Sequence, residues 1–171
     1  METLYTKRLV LRPPMMEDVE LLHKELGCNP DMIRYTGWNP FDTVEHAKEK
    51  TEEDIRRFEN GKFYSWIITF QGLPVGTIGA YGYDEKDESI EIGYSIFEGE
   101  WGKGYASEAA AEVVRFLIQD KKLHRVHAWS HIDNIASQKV LEGAGLRREG
   151  IIKNAIDLPD GQKADQIIYG C

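Results

Sequence analysis

The sequence predicts a single mixed α/β domain of the α+β kind, over residues 1–171, in which most strands pair antiparallel. Successive hairpins in the middle of the chain predict this pairing and exclude an all-parallel sheet. Helical patterns lie on both sides of the hairpins, and about seven strands and about four helices are expected in all. A chain of 171 residues can bury one core, and no repeat or linker-like tract divides it.

The N-terminal third predicts one strand and two helices. Residues 4–12 alternate apolar and polar side chains until two prolines end the strand. Apolar residues at helical spacing predict a short helix over 16–27. The charged run over 43–60 predicts an exposed acidic helix, which Gly61 ends.

The middle of the chain predicts three strands, over 63–70, 75–83 and 89–97, with turns between them. In the third strand, alternate residues occupy opposite faces. One face carries Ile90, Ile92, Tyr94 and Ile96, and the other carries Glu91, Gly93, Ser95 and Phe97.

The C-terminal part continues with a glycine-rich loop over 99–104 and an amphipathic pattern that predicts a helix over 105–120. The remaining predicted elements are a strand over 124–131, a short helix over 134–143 and strands over 146–158 and 163–169, joined by a turn at 159–161.

The charge distribution narrows the choice of partners. The net charge is −8, and residues 1–94 carry 11 Lys and Arg against 18 Asp and Glu, whereas residues 95–150 carry 8 of each. We do not expect so acidic a chain to bind nucleic acid, and the balanced segment tolerates an anionic ligand better. No apolar run approaches the roughly 20 residues of a membrane-spanning helix, so no membrane partner is expected.

Cysteine and histidine usage predicts a reduced, cytoplasmic protein without a metal. The first residues are charged where a signal peptide would be apolar, and the two cysteines form no disulfide or metal signature. No carboxylate or thiol completes a ligand set around the three histidines of the 124–131 strand. The tryptophans are expected in the core or in a cleft wall, and they are Trp38, Trp66, Trp101 and Trp129.

Gly102-Lys103-Gly104 directly precedes the predicted 105–120 helix. The first amides of a helix lack partners and carry a partial positive charge, and glycines let a ligand approach the backbone closely. The pattern therefore predicts a cradle for a phosphate or diphosphate, to which Lys103 adds a cation. The alternative is that the glycines only shape a tight turn, and neither a P-loop nor a dinucleotide fingerprint is present.

Five motifs carry a family resemblance. Residues 91–94 (Glu-Ile-Gly-Tyr) and 101–109 (Trp-Gly-Lys-Gly-Tyr-Ala-Ser-Glu-Ala) resemble the acetyl-coenzyme A motif of the GNAT acetyltransferases. Residues 134–146 resemble the second motif of that family. Residues 6–13 and 165–169 resemble the RimJ/RimL-like branch, which acetylates ribosomal-protein N-termini.

The resemblance implies a GNAT-like splayed sheet, with acetyl-CoA as cosubstrate and no metal. The strands over 89–97 and 124–131 would part and receive the pantetheine arm, which the backbone of Tyr94 and Ile96 would hold. The pyrophosphate would sit on the amides at the start of the 105–120 helix. The remaining implied cofactor-binding residues are Trp101, Gly102, Lys103, Gly104, Tyr105, Ala106, Ser107, Asn134, Ser137 and Lys139. Trp101 replaces the family's usual Gln or Arg, so no side-chain contact to phosphate is expected there.

The implied reaction is direct attack of a primary amine on the acetyl thioester. Deprotonation at pH 7 costs about 1 kcal/mol for an α-amine but about 4.6 kcal/mol for a lysine. The N-terminal α-amine of a protein or peptide is therefore the expected acceptor. Residues 14–60, with 6 basic and 12 acidic residues, cover the acceptor cleft in this family and suit a cationic acceptor. A small amine (polyamine, aminoglycoside or amino-acid-like compound) and a non-catalytic acyl-CoA-binding domain are the alternatives.

Glu91 is the candidate general base. It resembles the strand carboxylate that serves some family members, and we expect it to act through water. The other interpretation is a cross-strand or surface contact, and Asp157, Asp165 and His127 are alternative bases.

Ser137 is the candidate acid for the leaving thiolate. Leu141 occupies the position of the family's tyrosine acid, and the Ser137 hydroxyl would replace it unless it bonds to the start of its own helix. The sequence shows no basic activation of Cys28, so an acetyl-cysteine route is not expected. Monomer and homodimer both stay open.

Overall fold

The computed structural model describes residues 2–36, 39–58, 62–158 and 160–171. Its strands are β1 (Leu4–Tyr5), β2 (Leu9–Arg12), β3 (Tyr64–Phe70), β4 (Leu73–Asp84), β5 (Ser89–Ile96), β6 (Arg125–His131), β7 (Arg147–Asp157) and β8 (Lys163–Gly170). Its α-helices are α1 (Val19–Leu22), α2 (Pro30–Ile33), α3 (Val44–Phe58), α4 (Tyr105–Arg115) and α5 (Ile135–Gly143). Short 3-10 or π segments flank α1, follow α4 and precede the glycine loop.

The eight strands form one sheet in the order β1-β2-β3-β4-β5-β6-β8-β7. All neighbours pair antiparallel except β5 and β6, which are parallel. The predicted mixed, mostly antiparallel sheet is therefore confirmed. No helix among the described residues is long and apolar enough to cross a bilayer.

The element count differs from the prediction at the N-terminus. The single strand expected over 4–12 is two strands, β1 and β2, because Thr6 closes a turn between them. The Thr6 amide donates to the Leu9 carbonyl at 3.0 Å, and its hydroxyl accepts from the Leu9 amide at 2.8 Å. The additional helix is α2, which Pro30 begins and Asn29 caps by accepting from the Asp31 amide.

The C-terminal end of the long predicted helix differs from the prediction. The helix predicted over 105–120 is α4 continued by a π segment, Phe116–Asp120. Trp38, Gly61 as the end of α3 and Pro159 of the last predicted turn lie outside the described residues.

Helices cover both faces of the sheet. Ile90 and Ile92 of β5 lie in the main core, with residues of α4 and α5 packed over them. Odd-numbered residues of β5 point to the other face of the sheet, which the N-terminal helices cover. On that face Phe97, which directly follows β5, packs with Leu22 and Leu26. The two faces of β5 therefore serve different parts of the molecule.

The parallel pair β5–β6 separates after three residues. The register runs Ser89–Arg125, Ile90–Val126 and Glu91–His127, and no pairing of β5 with β6 continues beyond it within the described residues. The predicted splay is confirmed, and it leaves one edge of β5 unpaired toward its C-terminal end.

Candidate active site

A cavity of about 530 Å³ opens at the splay, between β5, the α2 segment and the N-terminal ends of α4 and α5. Most of the sequence-predicted cofactor residues line it. They are Tyr94, Ile96, Trp101, Gly102, Gly104, Tyr105, Ala106, Ser107, Asn134, Ser137 and Lys139. Lys103 and Glu91 do not line it.

The N-terminus of α4 presents main-chain donors to this cavity. Gly104 caps the helix in the left-handed conformation, with φ of 80°, and no side chain caps it. The first intrahelical bond runs from the Glu108 amide to the Gly104 carbonyl at 3.2 Å. The amides of Tyr105, Ala106 and Ser107 therefore lack helical partners and can bind an anion. The positive φ explains why glycine is needed at 104.

The free edge of β5 presents main-chain groups to the same cavity. Phe97 donates to the Val75 carbonyl at 3.0 Å, while Gly76 lies opposite Ile96. In an antiparallel ladder this register turns the N–H and C=O of Ile96, and by alternation those of Tyr94, away from β4. They point into the splay, as binding of an extended amide chain requires.

Trp101 uses one of these groups. Its indole Nε1 donates to the Ile96 carbonyl at 2.7 Å, and the ring, 48% exposed, stands at the cavity wall. The expected role as a cleft wall thus has a defined contact, and that contact fixes Trp101 beside the glycine loop.

Ser137 and Tyr94 form a hydrogen-bonded pair inside the cavity. The Tyr94 hydroxyl lies 2.9 Å from Ser137 Oγ and 3.1 Å from the Ser137 carbonyl. Burial raises the pKa of Tyr94 to about 12, against the lowering effect of the Ser137 contact. The start of α5 is capped instead through the Ser137 amide, which donates to Asn134 Oδ1 at 3.1 Å. Leu141 is buried in the core and offers no proton donor.

Of the two lysines predicted near phosphate, only Lys139 lines the cavity. Lys103 is exposed and pairs with Glu100 at 2.8 Å, and this hydrogen bond raises the pKa of Lys103. Glu100, which partly neutralises the charge of Lys103, itself lines the cavity.

Glu91 is anchored on the face of β5 opposite Tyr94. Its carboxylate accepts hydrogen bonds from the Tyr81 hydroxyl and the Trp129 indole, and burial nevertheless raises the pKa of Glu91. His127 Nε2 lies 3.9 Å away. Glu91 precedes Tyr94 by three residues, or about 10 Å of strand, so a bridging water would have to connect it with the cavity. Its role as base stays a prediction.

Two of the three alternative bases are engaged elsewhere. Asp157 pairs with Lys163 at 2.6 Å, and Asp165 with Lys153 at 2.6 Å. The Lys153 hydrogen bond lowers the pKa of Asp165, and burial lowers the pKa of His127. None of the three lines the cavity.

Cys28 has a basic neighbour that the sequence did not reveal. His23 Nδ1 lies 2.7 Å from the Phe41 carbonyl and can only donate to it, so the unprotonated Nε2, 3.4 Å from Cys28 Sγ, can accept a hydrogen bond from the thiol. The expectation that Cys28 has no basic neighbour is therefore wrong. Cys28 does not line the cavity, however, and no metal-binding group of three His, Cys, Asp or Glu occurs in the part of the chain that the structure describes.

Sequence reasoning missed several residues that build the site. The acidic 14–60 segment contributes Asp31, Met32 and Tyr35 to the cavity, but only its overall charge was readable. The side chain of Tyr94 was missed as a partner of Ser137, because 43 residues separate them.

The observed site fits a thioester carried on a long, anionic tether. It combines uncapped helix amides, an unpaired strand edge and a hydroxyl pair between them. The uncapped helix amides suit a diphosphate, and the unpaired strand edge suits an arm that contains amide groups. The hydroxyl pair suits a leaving thiolate. The fold and this site define an acyltransferase that uses coenzyme A.

Comparison with known proteins gives the family. Residues 8–147 match the model of the acetyltransferase (GNAT) domain. The chain belongs to the GNAT family and is an acetyl-CoA-dependent N-acetyltransferase. The family resemblance predicted from the sequence motifs is confirmed.

Individual relatives agree with this assignment. The chain is 30% identical to the N-acetyltransferase p20 of Bacillus licheniformis, over 90% of this chain and 87% of that protein. A GNAT-family acetyltransferase from Bacillus anthracis has 27% identity and a TM-score of 0.86, covering 99% of this chain and 98% of the other. The structure of RimL, a ribosomal-protein α-N-acetyltransferase in complex with coenzyme A, has a TM-score of 0.91 at 21% identity, covering 99% of this chain and 97% of the other.

Proposed function

We propose that the protein acetylates the N-terminal α-amine of a protein or peptide, by direct attack of that amine on acetyl-CoA. The observation that carries the proposal is the cavity at the β5–β6 splay, which has anion-binding amides at one end and Asp31, Met32 and Tyr35 at its α2 side. Asp31 supplies a negative charge for a cationic acceptor. Met32 and Tyr35 supply apolar surface for the first side chains of a peptide. The fold similarity to RimL supports the same acceptor class.

The cofactor is held by main-chain groups in this proposal. The amides of Tyr105, Ala106 and Ser107 bind the diphosphate, and the N–H and C=O groups of Tyr94 bind the pantetheine arm. The cofactor supplies an activated acetyl thioester. The Ile96 amide, which points into the splay, stabilises the negative charge that develops on the acetyl oxygen.

Protons are handled on opposite sides of β5. Glu91 accepts the proton of the attacking amine through water, and its raised pKa makes it a stronger base than an exposed glutamate. Ser137 donates a hydrogen bond to the departing thiolate while Tyr94 orients its hydroxyl. An α-amine needs less help than a lysine, because its ordinary pKa is lower.

The test is an acceptor panel with acetyl-CoA, followed by coenzyme A release and by mass spectrometry of the products. The panel contains a lysine-free peptide with a free N-terminus, the same peptide blocked at its N-terminus, a blocked peptide with one lysine, spermidine and kanamycin. We expect acetylation of the free α-amine alone. Acetylation confined to spermidine or kanamycin would contradict the proposal and establish the small-amine alternative.

Two variants test the assigned roles on that acceptor. Glu91→Gln and Ser137→Ala should each reduce kcat, with Glu88→Gln as a matched control, because Glu88 is an exposed partner of His124 just before β5. Wild-type turnover in both variants would remove Glu91 and Ser137 from the mechanism. Unchanged thermal unfolding temperatures would show that the variants fold.

A further inference from the structure

Arg8, in the turn between β1 and β2, reaches across to the N-terminus of α4. Its Nε donates to Glu108 Oε2 at 2.6 Å, and its backbone amide donates to Glu108 Oε1 at 2.8 Å. Its Nη1 donates to the Lys103 carbonyl at 3.1 Å, and the guanidinium carbon lies 5.1 Å from the centre of the Tyr105 ring. One side chain thus binds the loop before the helix and the first turn within it.

The contact with Lys103 fixes the orientation of one peptide unit. In a trans peptide the C=O of one residue and the N–H of the next point in opposite directions, and no peptide bond among the described residues is cis. Arg8 holds the Lys103 carbonyl on its own side, and neither residue lines the cavity. The Gly104 N–H must therefore face the other way, and Gly104 itself lines the cavity.

The contact with Glu108 removes an unfavourable charge. Glu108 lies in the first turn of α4, where its carboxylate would repel a diphosphate bound at the amides of the same turn. Arg8 neutralises it, and the Thr6 hydroxyl donates to the same carboxylate at 2.6 Å. The helix N-terminus thereby keeps its positive potential for an anionic ligand.

We propose that Arg8 is a positioning residue for the coenzyme A diphosphate, which it assists without touching it. It turns the Gly104 amide toward the ligand and cancels the charge of Glu108. This inference rests on the diphosphate site of the proposed function. The chemistry it serves is recognition of a doubly charged anion by main-chain amides.

The test measures coenzyme A binding to the full chain by calorimetry, at constant low salt. We expect Arg8→Gln to weaken binding about tenfold or more, because it frees the Lys103 carbonyl and leaves the Glu108 charge uncompensated. The affinity of Arg8→Lys for coenzyme A should lie between those of the wild type and Arg8→Gln, since a lysine keeps the charge but cannot contact Glu108 and Lys103 at the same time. Adding Glu108→Gln to Arg8→Gln should recover several-fold of the lost affinity. Recovery of affinity without a matching recovery of the unfolding temperature would separate this role from a purely structural one.

Arg57→Gln is the matched control, because Arg57 forms an exposed ion pair with Glu53 on α3, on the other face of the sheet. It should bind coenzyme A like the wild type. Wild-type affinity in Arg8→Gln, or a double variant no better than the single one, would overturn the inference while leaving the proposed function intact. A wild-type protein that binds no coenzyme A would refute the proposed function itself.

Discussion

Replacement of Tyr94 by phenylalanine separates hydrogen bonding to Ser137 from packing. The substitution keeps the ring, which packs against the main core, and removes only the hydroxyl that lies 2.9 Å from Ser137 Oγ and 3.1 Å from the Ser137 carbonyl. The pKa of about 12 means that Tyr94 is a far weaker acid than a thiol, whose ordinary pKa is about 8.5. Full proton transfer from Tyr94 to a thiolate would be uphill by about 5 kcal/mol. A serine hydroxyl is a weaker acid still, so neither group transfers a full proton. Tyr94 can instead orient Ser137 to donate a hydrogen bond to the thiolate.

The expected size follows from the loss of a hydrogen-bond partner in a partly buried pair. Leaving such a group unpaired costs about 1–3 kcal/mol, so kcat for acetyl transfer should fall about tenfold. Ser137→Ala should cost a similar factor, and the double variant should be no slower than the slower single variant, because both changes remove one shared interaction.

The assay is coenzyme A release at saturating acetyl-CoA, with an acceptor peptide found by the panel. Tyr5→Phe is the control, since Tyr5 is 69% exposed on β1, outside the cavity. Additive losses of kcat in the Tyr94 and Ser137 variants would refute the coupling, because they would show that the two hydroxyls act independently. A Tyr94→Phe enzyme with wild-type kcat would refute the orientation itself.

Three further predictions rest on other contacts. Because burial raises the pKa of Glu91, the pKa that governs the acid side of the kcat/KM profile should lie above the ordinary glutamate value. Glu91→Gln should remove this acid-side decrease and reduce kcat/KM about 100-fold. An unchanged pH profile in the variant would exclude Glu91 as the base. Burial alone would raise the pKa of Glu108, but the hydrogen bonds from Thr6 and Arg8 lower it below its ordinary value. The Glu108 carboxylate therefore stabilises the folded protein at pH values above the pKa of the unfolded state. This stabilisation decreases as the pH falls through the pKa of the folded state. In urea unfolding, the free energy of unfolding of Glu108→Gln should be about 1–2 kcal/mol lower than that of the wild type near pH 7. This difference should disappear below about pH 4, where the carboxylate is protonated. A difference that does not change with pH would contradict a stabilising ion pair. Burial raises the pKa of Cys171, so iodoacetamide should label Cys171 more slowly in the folded protein than in urea, as followed by peptide mass spectra. Equal labelling rates in the two states would contradict this prediction.

The sequence predicted those parts of the site that depend on local pattern. Alternation in β5 placed Tyr94 and Ile96 on one face, and the Gly102–Gly104 spacing located the start of α4, because both properties involve neighbouring residues. Asn134 as the cap of α5 follows from the same local chemistry. The family motifs then joined these elements into one cofactor site.

Contacts between distant strands could not be predicted in the same way. Tyr81 lies directly opposite Glu91, but an irregularity between Tyr81 and Asp84 shifts the register that a simple hairpin would give. Trp129 reaches Glu91 only because β5 and β6 pair in parallel before they part. The surroundings of the candidate base therefore depend on tertiary structure, although the base itself was visible in a motif.

The substitution at Trp101 shows how the cofactor site depends on its backbone. The motif resemblance implied that a phosphate-binding side chain is missing at this position, and the indole instead closes on the Ile96 carbonyl at 2.7 Å. Lys103, the cation of the loop, does not line the cavity and is paired with Glu100, which does. Both loop side chains thus have partners within the protein, and the proposed anion site at the start of α4 rests on main-chain amides. Because amides bind an anion only when their peptide planes are correctly oriented, the proposed site depends on contacts that orient the loop, such as Arg8 with Lys103.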